Sequence, residues 1–148
     1  MLKKTLFEHC ATHLNKRLTL FEKRKLEIVT ALASETKSSA GDKHETGRAM
    51  IQLEREKLGT QILETEKNLK TLLPLNNLRP TIMSTLGSVI KTDRFNYYIA
   101  ISAPEITIDN RSYYCISAQS PMARLILGKK VGEAISFNKQ TSIITEIL

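Results

Sequence analysis

The sequence predicts an α+β protein: an N-terminal antiparallel α-helical coiled-coil hairpin, then a small β-rich domain with one short helix. Three observations predict it. Apolar residues repeat at alternating steps of four and three over residues 2–36, and again over 51–72. A polar stretch, "SSAGDKHETGRAM" (38–50), separates the two runs. Past Pro80 the helical spacing gives way to segments rich in Ile, Tyr, Val, Thr and Phe with partial alternation. The expected division is a hairpin over 1–75 with its tip near 38–47, and a C-terminal domain over 76–148.

In the first arm Phe7, Ala11, Leu14, Leu18, Phe21, Lys25, Ile28 and Leu32 form the seam, with Lys25 its polar member. No Gly or Pro interrupts this run, so one helix of about 50 Å is expected at ~1.5 Å per residue. In the second arm the seam is Ile51, Arg55, Leu58, Ile62, Thr65, Leu69 and Leu72, and Pro74 and Pro80 end it. Gly59 and the polar Arg55 and Thr65 are its weak points. A dimeric coiled coil is the alternative for such runs. Matched arms on both sides of the break at Ser38–Gly41 favour the hairpin, where each apolar stripe covers the other.

In the C-terminal part, "GSVIKTDRFNYYIAIS", "ITIDNRSYYCIS" and "ISFNKQTSIITEIL" read as strand groups. Asp109-Asn110-Arg111 and Asn138-Lys139-Gln140 read as hairpin turns. "SPMARLILG" reads as a short helix, with Pro121 in its first turn and Gly128 past its end. A domain of about 65–70 residues is marginal alone by surface-to-volume scaling, and packing on the base of the hairpin would help it.

Bulk properties exclude several classes. Hydrophobic content of 41% argues against wholesale disorder. No apolar run approaches the roughly 18–20 residues of a membrane span, and the charged start "MLKKTLFEHCATHL" lacks a signal-peptide core. A cytoplasmic protein with no membrane partner is therefore expected, and a monomer. The two cysteines, Cys10 and Cys115, are too few and too far apart for a secreted disulfide scaffold, and both are expected to be reduced. The net charge of +7 favours anionic partners, nucleic acid above all, although the excess is spread over both halves of the chain.

His9 and His13 stand four apart on the first helix, with Cys10 between them, a spacing that can hold a metal. No metalloprotease Glu follows His9 and no second ligand pair stands out, so packing or solvation is the expected role. The sequence has no phosphate loop, no dinucleotide fingerprint and no Gly-x-Ser-x-Gly, and Ser120 has no evident triad. Asp42 and Glu45 are three apart near the turn. As a capping box they would satisfy free N–H groups at the start of the second helix. As a pair at a narrow tip they could share a hard cation such as Mg²⁺, with another molecule completing its shell.

The segment "ISAQSPMARLILGKKVGEAISF" resembles the C-terminal domain of the Gre transcript-cleavage factors of bacterial RNA polymerase. The matching elements are Ile116-Ser117, Ser120-Pro121, Ala123-Arg124 and Gly128-Lys129, in order and without gaps. The resemblance implies a hairpin followed by an FKBP-like domain over nearly the whole chain. It implies an accessory factor and not an enzyme. The β domain would dock on bacterial RNA polymerase through Ser120, Pro121 and Arg124. The hairpin tip would enter the secondary channel and meet the 3′ end of the nascent RNA. Asp42 and Glu45 match the family's Asp-x-x-Glu tip, which helps hold a Mg²⁺ shared with the polymerase and activates water to cleave backtracked RNA. No cofactor of the chain's own is implied.

The tip departs from the family pattern. In Asp42-Lys43-His44-Glu45-Thr46-Gly47-Arg48, two potential cations stand where the family has an apolar and a small residue. Lys43, His44 and Arg48 would either offset the carboxylate field or contact RNA phosphates or the polymerase. Two alternatives to cleavage follow. One is a non-cleaving regulator in the same channel. The other is a stand-alone binding or scaffold protein with a relict prolyl-isomerase-like domain. For the latter, Phe95, Tyr97, Tyr98, Tyr113, Tyr114 and Phe137, without a Trp, give no evident peptide pocket in the sequence.

Overall fold

The computed structural model describes residues 1–36 and 41–148; of 35, 36 and 41–44 it describes the backbone alone. The fold is α+β. Two long helices, α1 (Leu2–Thr36) and α2 (Gly41–Leu72), are followed by a 3₁₀ turn (Leu73–Leu75), six strands and one short helix. The strands are β1 (Val89–Thr92), β2 (Asn96–Ala100), β3 (Ala103–Ile108), β4 (Arg111–Ser117), β5 (Ala134–Phe137) and β6 (Gln140–Ile147), and α3 (Pro121–Ile126) lies between β4 and β5. No described helix is long and apolar enough to cross a membrane.

The chain forms two compact units. One comprises Leu14–Asn68, and the other joins Met1–His13 to Leu69–Leu148. The start of α1 and the end of α2 therefore share a unit, as an antiparallel pair requires. Residues 38–40 of the expected tip lie outside the described residues.

Within Leu14–Asn68 the two helices meet along the expected seam. Leu14, Ile28, Leu58 and Thr65 are buried, Leu18, Phe21, Leu32, Ile51 and Ile62 half-buried. Thr65 is tolerated in the seam because its hydroxyl donates to the Gln61 carbonyl at 2.8 Å. Lys25 and Arg55 stay exposed, so the polar members of the heptads are solvated at the edge of the stripe. Arg24 joins the helices through Glu54, donating from Nε at 2.8 Å and Nη2 at 2.6 Å, and also holds Glu27 at 3.0 Å. Arg17 lies over the Phe21 ring at 5.1 Å.

In the other unit the buried face of α1 is displaced from the expected seam. Leu6 and Cys10 are fully buried, whereas Phe7 and Ala11 are half-buried. Here α1 meets a β-sheet, and the stripe that faces a sheet is not the one that faces a single helix. His9 Nε2 bonds the Pro104 carbonyl of β3 at 2.7 Å.

The sheet order is β3-β4-β2-β1-β6-β5. All neighbours are antiparallel except β2 and β4, which pair in parallel from Asn96↔Tyr113 to Ala100↔Ser117. Two hairpins close on two-residue turns, Asp109-Asn110 and Asn138-Lys139, with positive φ at all four positions. That is the turn whose twist suits adjacent antiparallel strands, and Asn and Asp tolerate it best. Alternation along β1, β2 and β4 divides the core. Ile90, Tyr97 and Ile99 pack with Ala123 and Ile126 of α3, and with Ile135 and Ile144. Val89, Tyr98, Tyr113 and Cys115 are buried at the alternate positions of the same strands.

Candidate functional site

Two regions carry the candidate residues, and each belongs to a different compact unit. The first is the start of α2. As described, the helix spans Gly41–Leu72, so the backbones of Asp42, Lys43, His44 and Glu45 are all helical. Positions 42 and 45 therefore fall on one face, about 60° apart at 3.6 residues per turn, with position 46 beside them. Positions 43 and 44 lie off that face, one to each side. Residue 42 is itself helical, so it does not occupy the non-helical position that precedes a helix. Glu45 and Arg48 are exposed. A helix face with two acidic positions fits a hard cation only as a partial donor set, and another molecule must supply the rest.

The second region is α3 and its surroundings. Ser120 is the N-cap: its hydroxyl accepts from the Ala123 N–H at 3.2 Å, and Pro121 occupies the first turn. Ala123 and Ile126 face the core, while Pro121, Arg124 and Leu125 are exposed. The Ser-Pro-x-Ala-Arg order thus makes a capped single turn with one apolar face and one presented face. Gly128 ends it with φ +82, a conformation that favours glycine. Ser120 has a structural role here, and Pro121 and Arg124 are exposed.

Sequence reasoning missed the residue that fixes this helix in place. Ser84 is 1% exposed. Its hydroxyl donates to the Ile126 carbonyl and accepts from the Lys129 N–H at 3.2 Å. Its backbone carbonyl accepts from Gly128 N–H and its N–H donates to Lys129 O, both at 2.9 Å. All these bonds join the loop before β1 to the end of α3. A lone Ser between Met83 and Thr85 carries no signal of a partner some 40 positions on, since nothing local marks it.

The structure also holds a cleft of ≈ 340 Å³ in the β domain. Phe95, Tyr97, Tyr114 and Phe137 line it with Ile116 and Met122, so four of the six aromatics counted from the sequence converge on one site. Linear spacing does not reveal this cleft: parallel pairing of β2 with β4 sets Tyr97 opposite Tyr114. Tyr114 meets Phe95 edge-on at 5.8 Å and Tyr97 at 6.1 Å. The β1–β2 turn positions the rim. Thr92 Oγ1 accepts from the Arg94 and Phe95 N–H groups at 3.1 and 2.9 Å, and Arg94 Nε donates to the Thr141 carbonyl at 3.1 Å.

The His9–Cys10–His13 set does not form a metal cluster. His9 bonds Pro104, Cys10 is buried, and among the described residues no three potential ligands gather.

No protein-family model matches the sequence, and no curated protein does. Among solved structures, the chain is similar to the GreA factor homolog 1 (Gfh1) protein of Thermus thermophilus at 21% identity and a TM-score of 0.35, over 91% of this chain and 92% of that one. A second structure, of the transcription factor Gfh1, matches at 21% identity and a TM-score of 0.36, over 94% and 93% of the two chains. Likeness of this degree assigns no partner and no reaction.

Proposed function

We propose that this chain is a Gre-like factor that docks on a bacterial RNA polymerase and places the turn between α1 and α2 in the secondary channel. The observation that carries the reading is the Ser120–Lys129 segment. The residues that resemble the Gre pattern each have a physical task in one compact device: Ser120 caps, Ala123 is buried, Pro121 and Arg124 are presented, and Gly128 closes. That device follows two long antiparallel helices whose junction carries the Asp-x-x-Glu pair.

Docking falls to the exposed face of α3, with Pro121 and Arg124. Asp42 and Glu45, at positions that share one helix face, would join the polymerase's own metal shell. When bound, Mg²⁺ supplies charge neutralisation and a more acidic water there. The residues of this chain orient that water and complete the donor set. Arg48 extends the basic surface towards RNA phosphate.

The test is a stalled, backtracked elongation complex. Wild type releases a short 3′ RNA fragment, and an Asp42→Ala/Glu45→Ala double variant binds polymerase equally but releases none. Equal release by both would overturn the cleavage role. A non-cleaving channel regulator is the second reading, favoured by Lys43 and His44 between the carboxylates. It predicts polymerase binding with altered initiation or pausing and no RNA release from either protein.

A further inference from the structure

We propose that the aromatic cleft of the β domain is a nucleotide site, which takes one base among its rings and the adjoining phosphate at Arg94. This reading is independent of the polymerase reading, because it rests on the cleft alone. The cleft measures ≈ 340 Å³. That is near the lower end of the roughly 300–1,000 Å³ usual for small-ligand sites, enough for a base and its sugar and too small for a duplex. Its walls come from regular elements: Tyr97 from β2, Tyr114 and Ile116 from β4, Met122 from α3 and Phe137 from β5. The sheet and α3 therefore hold the site, with only the rim on a turn.

The rings decide the kind of ligand. Tyr114 is central: Phe95 meets it at 5.8 Å and 77°, Tyr97 at 6.1 Å and 35°. Rings tilted in this way leave both faces and edges for a planar guest, which can stack on one and meet another edge-on. Phe95 is 45% exposed, and Tyr114 and Phe137 are half-buried, so water covers ring surface that a closed core would bury. An aliphatic guest is matched by aliphatic walls, yet Ile116 and Met122 are the only non-aromatic apolar side chains in this lining.

The polar part of the lining decides what the planar group carries. Gln140 and Ser142 line the cleft beside Arg94. An amide and a hydroxyl each donate and accept, as a base edge requires of its partners. Arg94 is pre-positioned: its Nε donates to the Thr141 carbonyl at 3.1 Å, and Thr92 Oγ1 holds the turn through the Arg94 and Phe95 N–H groups. Among the described residues no ion pair takes up its Nη groups. The neighbouring carboxylate, Asp93, is engaged by the Ile143 N–H at 2.8 Å. Lys139, exposed next to Gln140, adds a second cation. With the chain at +7, these cations select an anionic planar ligand over a neutral one. Rings to stack on and cations for the backbone are the means by which unpaired nucleotides are held. An aromatic peptide side chain would use the rings and leave Arg94 without an anion. A free mononucleotide and a single strand present the same chemistry to the cleft.

The experiment titrates the full chain, isotope-labelled at its methionine methyls, and reads the Met122 signal by NMR. The probes are AMP, a short oligoadenylate, ribose 5-phosphate and N-acetylphenylalanine amide. AMP and the oligoadenylate should shift the Met122 methyl saturably through the ring current of the inserted base, and ribose 5-phosphate should not. Tighter binding of the oligoadenylate assigns the site to single strands; equal affinity assigns it to the free nucleotide. Phe95→Leu keeps an apolar side chain at an exposed position and should weaken binding by about tenfold through lost stacking. Arg94→Gln should lower the salt slope of oligoadenylate binding by about 0.7, the share of one phosphate contact. If that variant disturbs the turn, Phe95→Leu still decides. No saturable Met122 shift with either nucleotide probe, tighter binding of N-acetylphenylalanine amide than of AMP, or full affinity in Phe95→Leu would overturn the proposal.

Discussion

Replacing Ser84 by Ala tests whether the loop before β1 holds the end of α3. The hydroxyl makes two bonds, donating to Ile126 O and accepting from Lys129 N–H. Their loss is not symmetrical with a fully orphaned pair, because Lys129 N–H also reaches Ile126 O at 3.0 Å. Each partner of the missing hydroxyl therefore keeps one bond. The cost falls between one ordinary net hydrogen bond and one unsatisfied buried group, about 1–2 kcal/mol. In urea unfolding that moves the midpoint down by about 0.5–1 M with an unchanged slope. Hydrogen exchange supplies the local readout. The Gly128 and Lys129 amides should lose protection before those of β1 and β2, since only the former are held by Ser84 or beside it. A midpoint shift below about 0.2 M, or loss of protection spread evenly over the sheet, would refute the assignment of Ser84 as the anchor of this helix.

Two further outcomes follow from the β domain. Gly87 has φ +93, and a Cβ there would lie 2.7 Å from Leu78 Cδ1 and 3.3 Å from Leu75 Cδ2. Gly87→Ala should therefore destabilise by about 1–2 kcal/mol in the same urea assay, with the conformational part persisting even if the exposed Leu78 end moves aside. Alkaline titration is the other. Burial raises Tyr98, helped by Cys10 and Cys115 beside it, and burial raises Tyr97, so the folded state keeps these protons longer than the unfolded chain. Stability is then fully present below the ordinary tyrosine value of about 10 and falls as pH rises above it. A melting temperature flat from pH 9 to well above that value would contradict the burial of both rings.

The helices were legible because their signal is local. Heptad spacing, an uninterrupted first run and Pro74 after the second specify where helices form, and burial at Leu14, Ile28, Leu58 and Thr65 follows those spacings. Turn chemistry was equally local: Asp109-Asn110 and Asn138-Lys139 close hairpins because they accept positive φ. The rest depends on distant pairing. The shift of burial to Leu6 and Cys10 is set by a sheet more than 70 residues on, and the seam rule has no knowledge of it. Parallel pairing of β2 with β4 decides that Tyr97 and Tyr114 share a cleft, and alternation within either strand is compatible with several neighbours. The site followed the same division. Pro121 and Gly128 were readable as a first turn and a stop. Ser84 and the aromatic cleft were not, because each is made by residues far apart in the chain.

The tip gains most from the helical register of residues 41–45. Read linearly, Lys43 and His44 stand between two carboxylates. On a helix they stand beside them, since positions 42 and 45 share a face that 43 and 44 do not. Under the proposed function this separates two kinds of substitution. Glu45→Gln removes a donor from the acidic face and should abolish RNA release from the backtracked complex. Lys43→Leu removes a charge and His44→Ser an ionisable ring, and a charge acting on that face through solvent is worth about 0.2–1 kcal/mol, thus at most about fivefold in the magnesium dependence of release. A loss of release from Lys43→Leu as deep as that from Glu45→Gln would show that the lysine works at the reacting phosphate itself. A gain of more than tenfold would show that the cations oppose the acidic face directly, and that the helical separation of the two sets does not persist in the channel.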